Sequence, residues 1–322
     1  MKKILVLHTG GTIAMAENNQ TGSVSLNQDN PLLTAQVHLP AATQLVVEDI
    51  FNLPSPQITP AHMLQLKSRI QRGKADGFTG VVITHGTDTL EETAFFLDIT
   101  VGQLLPIVVT GAMRSSNELG SDGLYNFESA IRVAACDEAK NKGVLVVMND
   151  EIHTARYVTK THTTNVATFR TPTLGPIGII TKHQIRFMQQ LITAETVDIQ
   201  AVDGIVPIVK AYAGMEGDYL NALAEMNISG LVIEGLGAGN LPPKTIPALK
   251  KILAKNIPIL LVSRCFNGIA ETIYAYEGGG QQLADLGVIF CNGINSQKAR
   301  LKLLVALNSQ LSSEDQRTFL QK

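Results

Sequence analysis

The sequence predicts an α/β fold with two domains: a larger amino-terminal one, in which helices cover a mainly parallel sheet, and a smaller carboxy-terminal α/β one. Short apolar runs recur along the chain, and longer segments with helical apolar spacing separate them. Runs that are apolar on both faces indicate strands of a parallel sheet buried on both sides. The alternation weakens once, at 189–204, and then resumes, which indicates a linker between two domains.

The predicted elements follow this division into residues 1–188, a linker at 189–204, and residues 205–322. First-domain strands are predicted at 3–8, 45–50, 80–84, 106–109 and 144–148, and helices at 61–74, 91–101 and 125–141. Second-domain strands are predicted at 205–210, 231–234, 257–262 and 288–291, and helices at 218–226, 245–255 and 297–309. A threonine-rich stretch at 158–169 is predicted as β-structure outside this alternation.

Composition excludes several classes of protein. A formal net charge of -2 offers no basic surplus for a nucleic acid, and no apolar run reaches membrane-spanning length. The opening segment begins like a signal peptide, but its apolar run ends at His8, too early for an h-region. We therefore expect a cytoplasmic protein with no nucleic-acid or membrane partner. Its three cysteines are widely spaced and lack metal-binding patterns, so we expect reduced structural thiols.

A glycine-rich turn follows the first predicted strand, with the sequence Thr-Gly-Gly-Thr-Ile at 9–13. Paired glycines let the backbone turn sharply and expose its N–H groups. The hydroxyl of Thr12 could then face a substrate carbonyl while a nearby N–H stabilises the oxyanion. The alternative is a tight turn in which the threonines satisfy local backbone groups.

A second polar turn follows the strand at 80–84 and reads His-Gly-Thr-Asp-Thr-Leu-Glu-Glu at 85–92. Thr89 and Glu92 have the spacing of a capping box, so part of this turn could simply start a helix. That explanation leaves Thr87 and Asp88 unexplained. A carboxylate at a helix N-terminus is favoured by the helix dipole and can bind an ammonium group, and Thr87 could orient a water.

Lys160 lies between two threonines in an apolar strand pattern. It is either an exposed lysine of an edge strand or a cleft residue, since a lysine buried without a partner is unfavourable. In the second case Asp88 is its obvious partner, and a relay of Thr, Lys and Asp becomes possible.

Two long motifs resemble the signatures of the bacterial asparaginase/glutaminase family, whose nucleophile is a threonine. The first is Thr-Gly-Gly-Thr-Ile-Ala at 9–14, and the second is Gly-Val-Val-Ile-Thr-His-Gly-Thr-Asp-Thr-Leu at 80–90. Further segments match in family order at 109–114, 143–150, 158–160, 166–169 and 237–241. The resemblance implies hydrolysis of L-asparagine to L-aspartate and ammonia, without metal or cofactor.

The resemblance also implies catalytic roles for four residues. Thr12 stands at the position of the nucleophile that forms an acyl-enzyme ester. Thr87 orients water or assists proton transfer, and Lys160 keeps its hydroxyl reactive. Asp88 binds the amino group of the substrate. Backbone N–H groups near Gly11 and at Thr87 and Asp88 are implied to hold the oxyanion.

Three further positions are implied to bind substrate. Ser55 matches the residue that holds the α-carboxylate, and Ala112 matches one whose backbone carbonyl contacts the side-chain amide. Asn240 matches a residue that reaches the site of a neighbouring subunit. In this family active sites lie between paired subunits, so the resemblance implies a homodimer or homotetramer.

The chain departs from the family pattern in the loop after the first signature. Relatives usually carry a tyrosine there that touches the nucleophile, but residues 14–26 contain none. Its replacement is therefore open among Thr21, Ser23, Ser25, Tyr274 and Tyr276.

Two further positions differ or stay open. Several relatives have Gln after the residue that matches Ser55, where this chain has Pro56, and Gln57 follows one place later. An acidic residue lent across the subunit interface would lie within 271–277.

Three other functions are compatible with parts of the sequence. A glutaminase-asparaginase differs only in accepting one more methylene, which pockets discriminate modestly. The amidase subunit of a tRNA-dependent amidotransferase carries an additional amino-terminal domain, whereas this sequence begins directly with the first predicted strand. We therefore disfavour that function. A nucleotide-binding module would use Gly-Leu-Gly-Ala-Gly at 235–239, but this segment lacks the full dinucleotide spacing.

Overall fold

A computed structural model describes residues 1–17, 21, 24–26, 32, 37–192 and 195–322. The chain divides into two compact units, Met1–Thr196 and Val197–Lys322. Met188 and Gln189 still belong to the first unit, because their backbone N–H groups both donate to the carbonyl of Ile177, just before the strand Gly178–Ile180 of its large sheet. None of the described helices is long and apolar enough to cross a membrane.

The first unit contains an eight-stranded sheet. In chain order its strands are β1 (Lys2–His8), β4 (Thr43–Asp49), β5 (Gly80–Thr84), β6 (Ile107–Thr110), β7 (Val144–Met148), β8 (Glu151–Thr154), β11 (Gly178–Ile180) and β12 (Ile185–Phe187). Two short hairpins lie outside this sheet: β2 (Met15–Glu17) with β3 (Val24–Leu26), and β9 (Thr159–Lys160) with β10 (Phe169–Arg170).

Spatially the sheet runs β4, β1, β5, β6, β7 as neighbouring parallel strands, and β8, β11 and β12 continue it in antiparallel pairs. Its helices are α1 (Pro60–Ala75), α2 (Leu90–Val101) and α3 (Gly123–Ala135). Helix α3 packs on one face, where Ile4 and Phe127 share an apolar cluster. Leu5 points the other way and approaches Gly73 of α1, so the sheet is covered on both faces.

The second unit is a smaller α/β unit with a four-stranded parallel sheet. Its strands are β13 (Ile208–Lys210), β14 (Leu231–Gly235), β15 (Ile259–Ser263) and β16 (Ile289–Phe290). Its helices are α4 (Asp218–Glu225), α5 (Ile246–Leu253), α6 (Gly280–Asp285), α7 (Ser296–Leu307) and α8 (Ser313–Gln321). Helices α4, α5 and α6 contribute apolar side chains to one core with β14 and β15.

The predicted fold class is confirmed, while several elements differ from their predicted extents. The third helix was expected to reach 141 but ends at Ala135, because Cys136 is extended with ψ 133° and a one-turn 3-10 helix follows. In the threonine-rich stretch, strands form only at Thr159–Lys160 and Phe169–Arg170. Helices α6 and α8 were not predicted. The domain bounds of the sequence analysis stay a prediction.

Candidate active site

Four turns meet at one edge of the large sheet, at the carboxyl ends of β1, β4, β5 and β6. Parallel strands present their carboxyl ends at the same edge, which is where open α/β sheets place ligand sites. Backbone hydrogen bonds tie these turns together: the N–H of Thr9 donates to Thr84 at 3.1 Å, and that of Leu53 donates to Thr9 at 3.0 Å. The N–H of His85 donates to Thr110 at 2.8 Å.

The tightest contact at this edge joins Gly11 to Gly86. Gly11 has φ 83°, and a Cβ added to it would lie 2.3 Å from the Cα of Gly86. A Cβ added to Gly86 would in turn lie 2.7 Å from the Cβ of Ser55. No side chain fits at either glycine, so the backbones of the two signature turns come into direct contact and the side chain of Ser55 packs against Gly86.

Thr12 follows this contact at once. It begins a one-turn 3-10 helix, Thr12–Ala14, and its side chain is half-buried. The next residue, Ile13, is 1% exposed and packs against the start of α3 at Gly123. The short strand β2 then continues into hydrogen bonds with the loop at Ser116 and Asn117. The turn is therefore held on both sides of Thr12.

Lys160 joins the second signature turn from a distant part of the chain. Its Nζ donates to Oγ1 of Thr87 at 3.0 Å and to Oδ1 of Asp88 at 2.7 Å. The lysine side chain is 17% exposed and that of Asp88 is 60% exposed. The aspartate is thus open to solvent while the lysine is largely enclosed, and the structure excludes a fully exposed edge-strand lysine.

Ser55 lies beneath this cluster and is 6% exposed. Its Oγ accepts from the N–H of Asp88 at 3.3 Å, and its carbonyl accepts from the hydroxyl of Thr89 at 2.8 Å. The sequence-based explanation of Thr89 as the side-chain cap of a capping box is therefore wrong. Thr89 is the N-cap residue of α2 but makes no side-chain cap, because its hydroxyl binds Ser55 instead.

His85 supports the turn from below, and its role was missed from the sequence. It is fully buried, and burial lowers its pKa to about 4, so the ring is neutral at pH 7. Its Nδ1 lies 2.8 Å from the carbonyl of Gly86, which can only accept, so Nδ1 carries the hydrogen. Nε2 then accepts from the hydroxyl of Thr93 at 2.8 Å. The available signal in the sequence was a histidine directly after an apolar strand, inside the second signature.

Comparison with known proteins decides the family. The family model "Asparaginase, N-terminal" matches residues 3–193, and "Glutaminase/Asparaginase C-terminal domain" matches residues 205–320. The chain belongs to the asparaginase family.

Relatives match along almost the whole chain. A protein named L-asparaginase from Bacillus licheniformis is 37% identical over 96% of this chain and 96% of its own. A probable L-asparaginase from Deinococcus radiodurans is 40% identical over 100% of this chain and 98% of its own. The crystal structure of a probable cytoplasmic L-asparaginase from Campylobacter jejuni covers all of both chains, with a TM-score of 0.86 and 32% identity. Other relatives are named glutaminase-asparaginase or periplasmic L-asparaginase.

Two further residues that the asparaginase resemblance singled out lie in other segments of the chain. Ala112 is fully buried in the turn after β6, and this turn is held by Asn126, whose Nδ2 donates to the carbonyl of Gly111 at 3.1 Å. Asn126 was not identified from the sequence. Asn240 lies in the second unit, where its Oδ1 accepts from the N–H of Gly280 at 3.2 Å.

The replacement for the family's loop tyrosine stays open. Ser23 and the side chain of Ser25 lie outside the described residues, and Thr21 is exposed. Tyr274 and Tyr276 lie in the second unit, 43% and 55% exposed, with ring centroids 5.4 Å apart.

Neither a metal centre nor a nucleotide turn emerges in the described part of this asparaginase-family chain. No group of three or more His, Cys, Asp or Glu side chains there could hold a metal ion. The glycine-rich segment at 235–239 folds back on itself, because the N–H groups of Gly239 and Asn240 both reach the carbonyl of Leu236. It does not run directly into a helix N-terminus, as a phosphate-binding turn does.

Proposed function

We propose that this protein hydrolyses L-asparagine to L-aspartate and ammonia through an acyl-enzyme ester on Thr12. The observation that carries the proposal is the pairing of Lys160 with Thr87 and Asp88 in the turn that contacts the Thr12 turn. Family membership, and the names of relatives that match over nearly their full length, support the same reaction.

The substrate binds through its two charged α-groups. Asp88 keeps Lys160 on Oδ1 and takes the substrate ammonium on Oδ2, since a carboxylate accepts at both oxygens. Its 60% exposure leaves it open to the ligand. Ser55 accepts from the N–H of Asp88 and directs its own hydroxyl hydrogen to the α-carboxylate. Substrate binding therefore uses charge at one end and a buried hydroxyl at the other.

The first half-reaction is attack of Thr12 Oγ1 on the side-chain amide carbon. The carbonyl oxygen becomes an oxyanion, which backbone N–H groups of the two signature turns stabilise. The N–H of Asp88 points to Ser55, so the N–H groups near Gly11 and Thr87 are the donors we assign to the oxyanion. The hydroxyl proton of Thr12 passes to the departing nitrogen, so breaking the C–N bond releases ammonia and leaves an aspartyl ester on Thr12.

The second half-reaction is hydrolysis of that ester. Thr87 orients the attacking water, and Lys160 polarises the Thr87 hydroxyl from 3.0 Å. Water adds to the ester carbonyl, the bond to Thr12 Oγ1 breaks, and the hydroxyl recovers its proton. L-Aspartate leaves, and Thr12 is ready for another cycle.

The assembly and location are also part of the proposal. We propose a homodimer or homotetramer, because the resemblance implies that Asn240 and an acidic residue within 271–277 reach the site of a neighbouring subunit. We place the protein in the cytoplasm, as described for the Campylobacter jejuni relative.

The test is the initial rate of ammonia release from L-asparagine and L-glutamine by the wild type, Thr12→Ala and Thr12→Ser. Removing a nucleophile costs several powers of ten, so Thr12→Ala should be nearly inactive, while Thr12→Ser keeps a hydroxyl and measurable activity. Rapid quenching of the wild type with asparagine should give, by mass spectrometry, an aspartyl adduct on the peptide that contains Thr12. Retention of more than about a tenth of the rate in Thr12→Ala would reject Thr12 as nucleophile.

The same assay decides between asparagine and glutamine. Discrimination of one methylene is worth only about 1–3 kcal/mol, so some glutamine turnover is expected. Comparable kcat/KM values on both substrates would move the assignment to a glutaminase-asparaginase. Release from neither would reject the proposed reaction.

A further inference from the structure

The lysine of the candidate site is carried by a small hairpin rather than by the large sheet. Strands β9 and β10 pair with each other, Lys160 opposite Phe169 and Thr159 opposite Arg170. Among the described strands, neither pairs with any strand of the eight-stranded sheet. The position of Lys160 against Thr87 therefore depends on contacts that anchor this hairpin to the sheet.

One such contact is buried and joins the exit of the hairpin to β8. Thr171 directly follows β10, and its Oγ1 lies 3.0 Å from Nδ1 of His153. His153 is 0% exposed and Thr171 is 5% exposed, so the hydrogen bond is shielded from water. Because β8 belongs to the large sheet, this bond connects the hairpin to a rigid element.

Two charged side chains surround that bond. Nη1 of Arg170 lies 2.9 Å from both carboxylate oxygens of Glu151, and Glu151 is on β8 two residues before His153. Oε2 of Glu151 also lies 3.2 Å from Nε2 of His153, although the alignment is outside that of a hydrogen bond. The contact is therefore electrostatic.

These neighbours define the direction of the buried hydrogen bond. Burial and the nearby Arg170 cation lower the pKa of His153 to about 4, so the ring is neutral at pH 7. The carboxylate of Glu151 favours the tautomer with hydrogen on Nε2. Nδ1 is then an acceptor, and the hydroxyl of Thr171 donates to it. Loss of the hydroxyl would leave a buried acceptor unpaired.

We propose that Thr171 and His153, flanked by Arg170 and Glu151, position Lys160 against Thr87 and thereby set the rate of the acyl-transfer chemistry. They act through the hairpin and do not contact the substrate. The inference rests on the proposed function, because it gives these residues a purpose only if Lys160 takes part in the reaction.

Positioning of Lys160 has a specific kinetic signature. If the hairpin shifts, the hydroxyl of Thr87 loses its cationic neighbour and kcat falls; a misplacement of about 1 Å can cost on the order of a hundredfold. The Oδ2 of Asp88, which we assign to the substrate ammonium, is not the oxygen that binds Lys160, so KM does not rise. A general loss of folded protein would also lower the apparent kcat and leave KM unchanged, so the distinguishing observation is whether the loss of kcat depends on Lys160.

The experiment compares Thr171→Val with Thr171→Ser. Valine keeps the shape and removes the hydroxyl, whereas serine keeps the hydroxyl. We expect Thr171→Val to lower kcat at least about tenfold with KM within about twofold of the wild type, and Thr171→Ser to restore kcat. Each substitution is repeated in a Lys160→Met background, where Thr171→Val should cause no further loss, as a double-mutant cycle requires of coupled residues.

Three outcomes with Thr171→Val and Lys160→Met would overturn the proposal. Unchanged kcat in Thr171→Val removes its basis, and an equal loss of kcat in the presence and absence of Lys160 shows a structural effect only. If Lys160→Met itself keeps most of the activity, the role of Lys160 in the proposed function fails, and the positioning proposal fails with it. If Lys160→Met is inactive while Thr171→Val keeps its kcat, only the positioning proposal fails. If thermal melting shows that Thr171→Val does not fold, Arg170→Met replaces it in the experiment. A severalfold loss of kcat in Arg170→Met that occurs only when Lys160 is present supports the proposal. The absence of such a loss rejects it.

Discussion

Lys160 contacts Thr87 across 73 residues of sequence, with Nζ 3.0 Å from Oγ1, and the same ammonium lies 2.7 Å from Oδ1 of Asp88. The contact brings a cation to a hydroxyl at the point where two glycine-rich turns meet. Asp88 is 60% exposed, so solvent screens the ion pair and we expect it to contribute little to the free energy of unfolding. Its importance is therefore expected in activity rather than in folding.

Replacing Lys160 tests directly whether the residue acts in catalysis rather than in folding. Lys160→Met should lower kcat about a hundredfold or more, because the Thr87 hydroxyl loses its charged neighbour. Its melting temperature should stay close to that of the wild type. Lys182→Met, at an exposed lysine, is the control and should keep full activity. An inactive Lys160→Met that is also unfolded would indicate a structural ion pair instead.

The contact between Gly11 and Gly86 predicts a strong effect of a single methyl group. In Gly11→Ala the new Cβ would lie 2.3 Å from the Cα of Gly86, so the two signature turns must separate. We expect near-complete loss of ammonia release together with a lower free energy of unfolding, measured by urea titration.

Gly77 serves as a control for positive φ, because its φ is 81° against 83° at Gly11 and nothing lies within 4 Å of its added Cβ. Gly11 differs in its ψ of 179°, which adds backbone strain of its own. Gly77→Ala therefore carries only the cost of positive φ, roughly 1–2 kcal/mol, without a clash. It should remain active. Equal behaviour of the two variants would mean that backbone strain, and not the contact between the turns, explains Gly11→Ala.

Much of the fold could be predicted from the sequence. The strands of the parallel sheet are buried on both faces, so most of them are apolar runs that can be recognised in the sequence. The strands at 80–84 and 144–148 occur with the predicted bounds, since each is a continuous apolar run. Helix α8 was missed because its residues are mostly polar and only Phe319 and Leu320 are buried. Its pattern therefore carries little apolar periodicity.

The candidate site was only partly accessible. The two signature turns are local in sequence, so Thr12, Thr87 and Asp88 could be identified from the residues themselves. The pairing of Lys160 with Asp88 was foreseen only as one of two alternatives, because residue spacing does not define where a two-residue strand points. Thr89 shows that a local pattern can also predict the wrong contact. Its spacing fits a capping box, but its hydroxyl binds the carbonyl of Ser55, which is distant in sequence.

Ser55 and Gln57 can be distinguished by their effects on KM. Ser55→Ala removes a buried hydroxyl that we assign to the substrate α-carboxylate, so KM should rise about tenfold or more. This hydroxyl is expected to bind the substrate and the transition state equally well, and losing such an interaction changes kcat less than KM. Gln57 is exposed, and Gln57→Ala should leave both constants near those of the wild type. A rise of KM in Gln57→Ala, with little change in Ser55→Ala, would transfer carboxylate binding to Gln57.

Three buried histidines predict how stability depends on pH. Burial lowers the pKa values of His8, His85 and His153 to about 4, below the value of 6.5 for a free histidine. Between pH 6.5 and 4 the unfolded chain binds protons at these positions and the folded chain does not. The free energy of unfolding should therefore fall as pH is lowered through this window, by up to about 1.4 kcal/mol per pH unit for each histidine.

Urea titrations at several pH values between 7 and 4.5 measure this slope. His8→Asn keeps a polar group near the hydroxyl of Thr84 and removes one titrating ring, so the slope should decrease. His183→Gln, at an exposed histidine, is the control for replacing a histidine at the surface. Most carboxylates titrate below this range, which leaves the histidines as the main source of the slope. A free energy of unfolding that stays constant from pH 6.5 to 4.5 would contradict their burial in the neutral form.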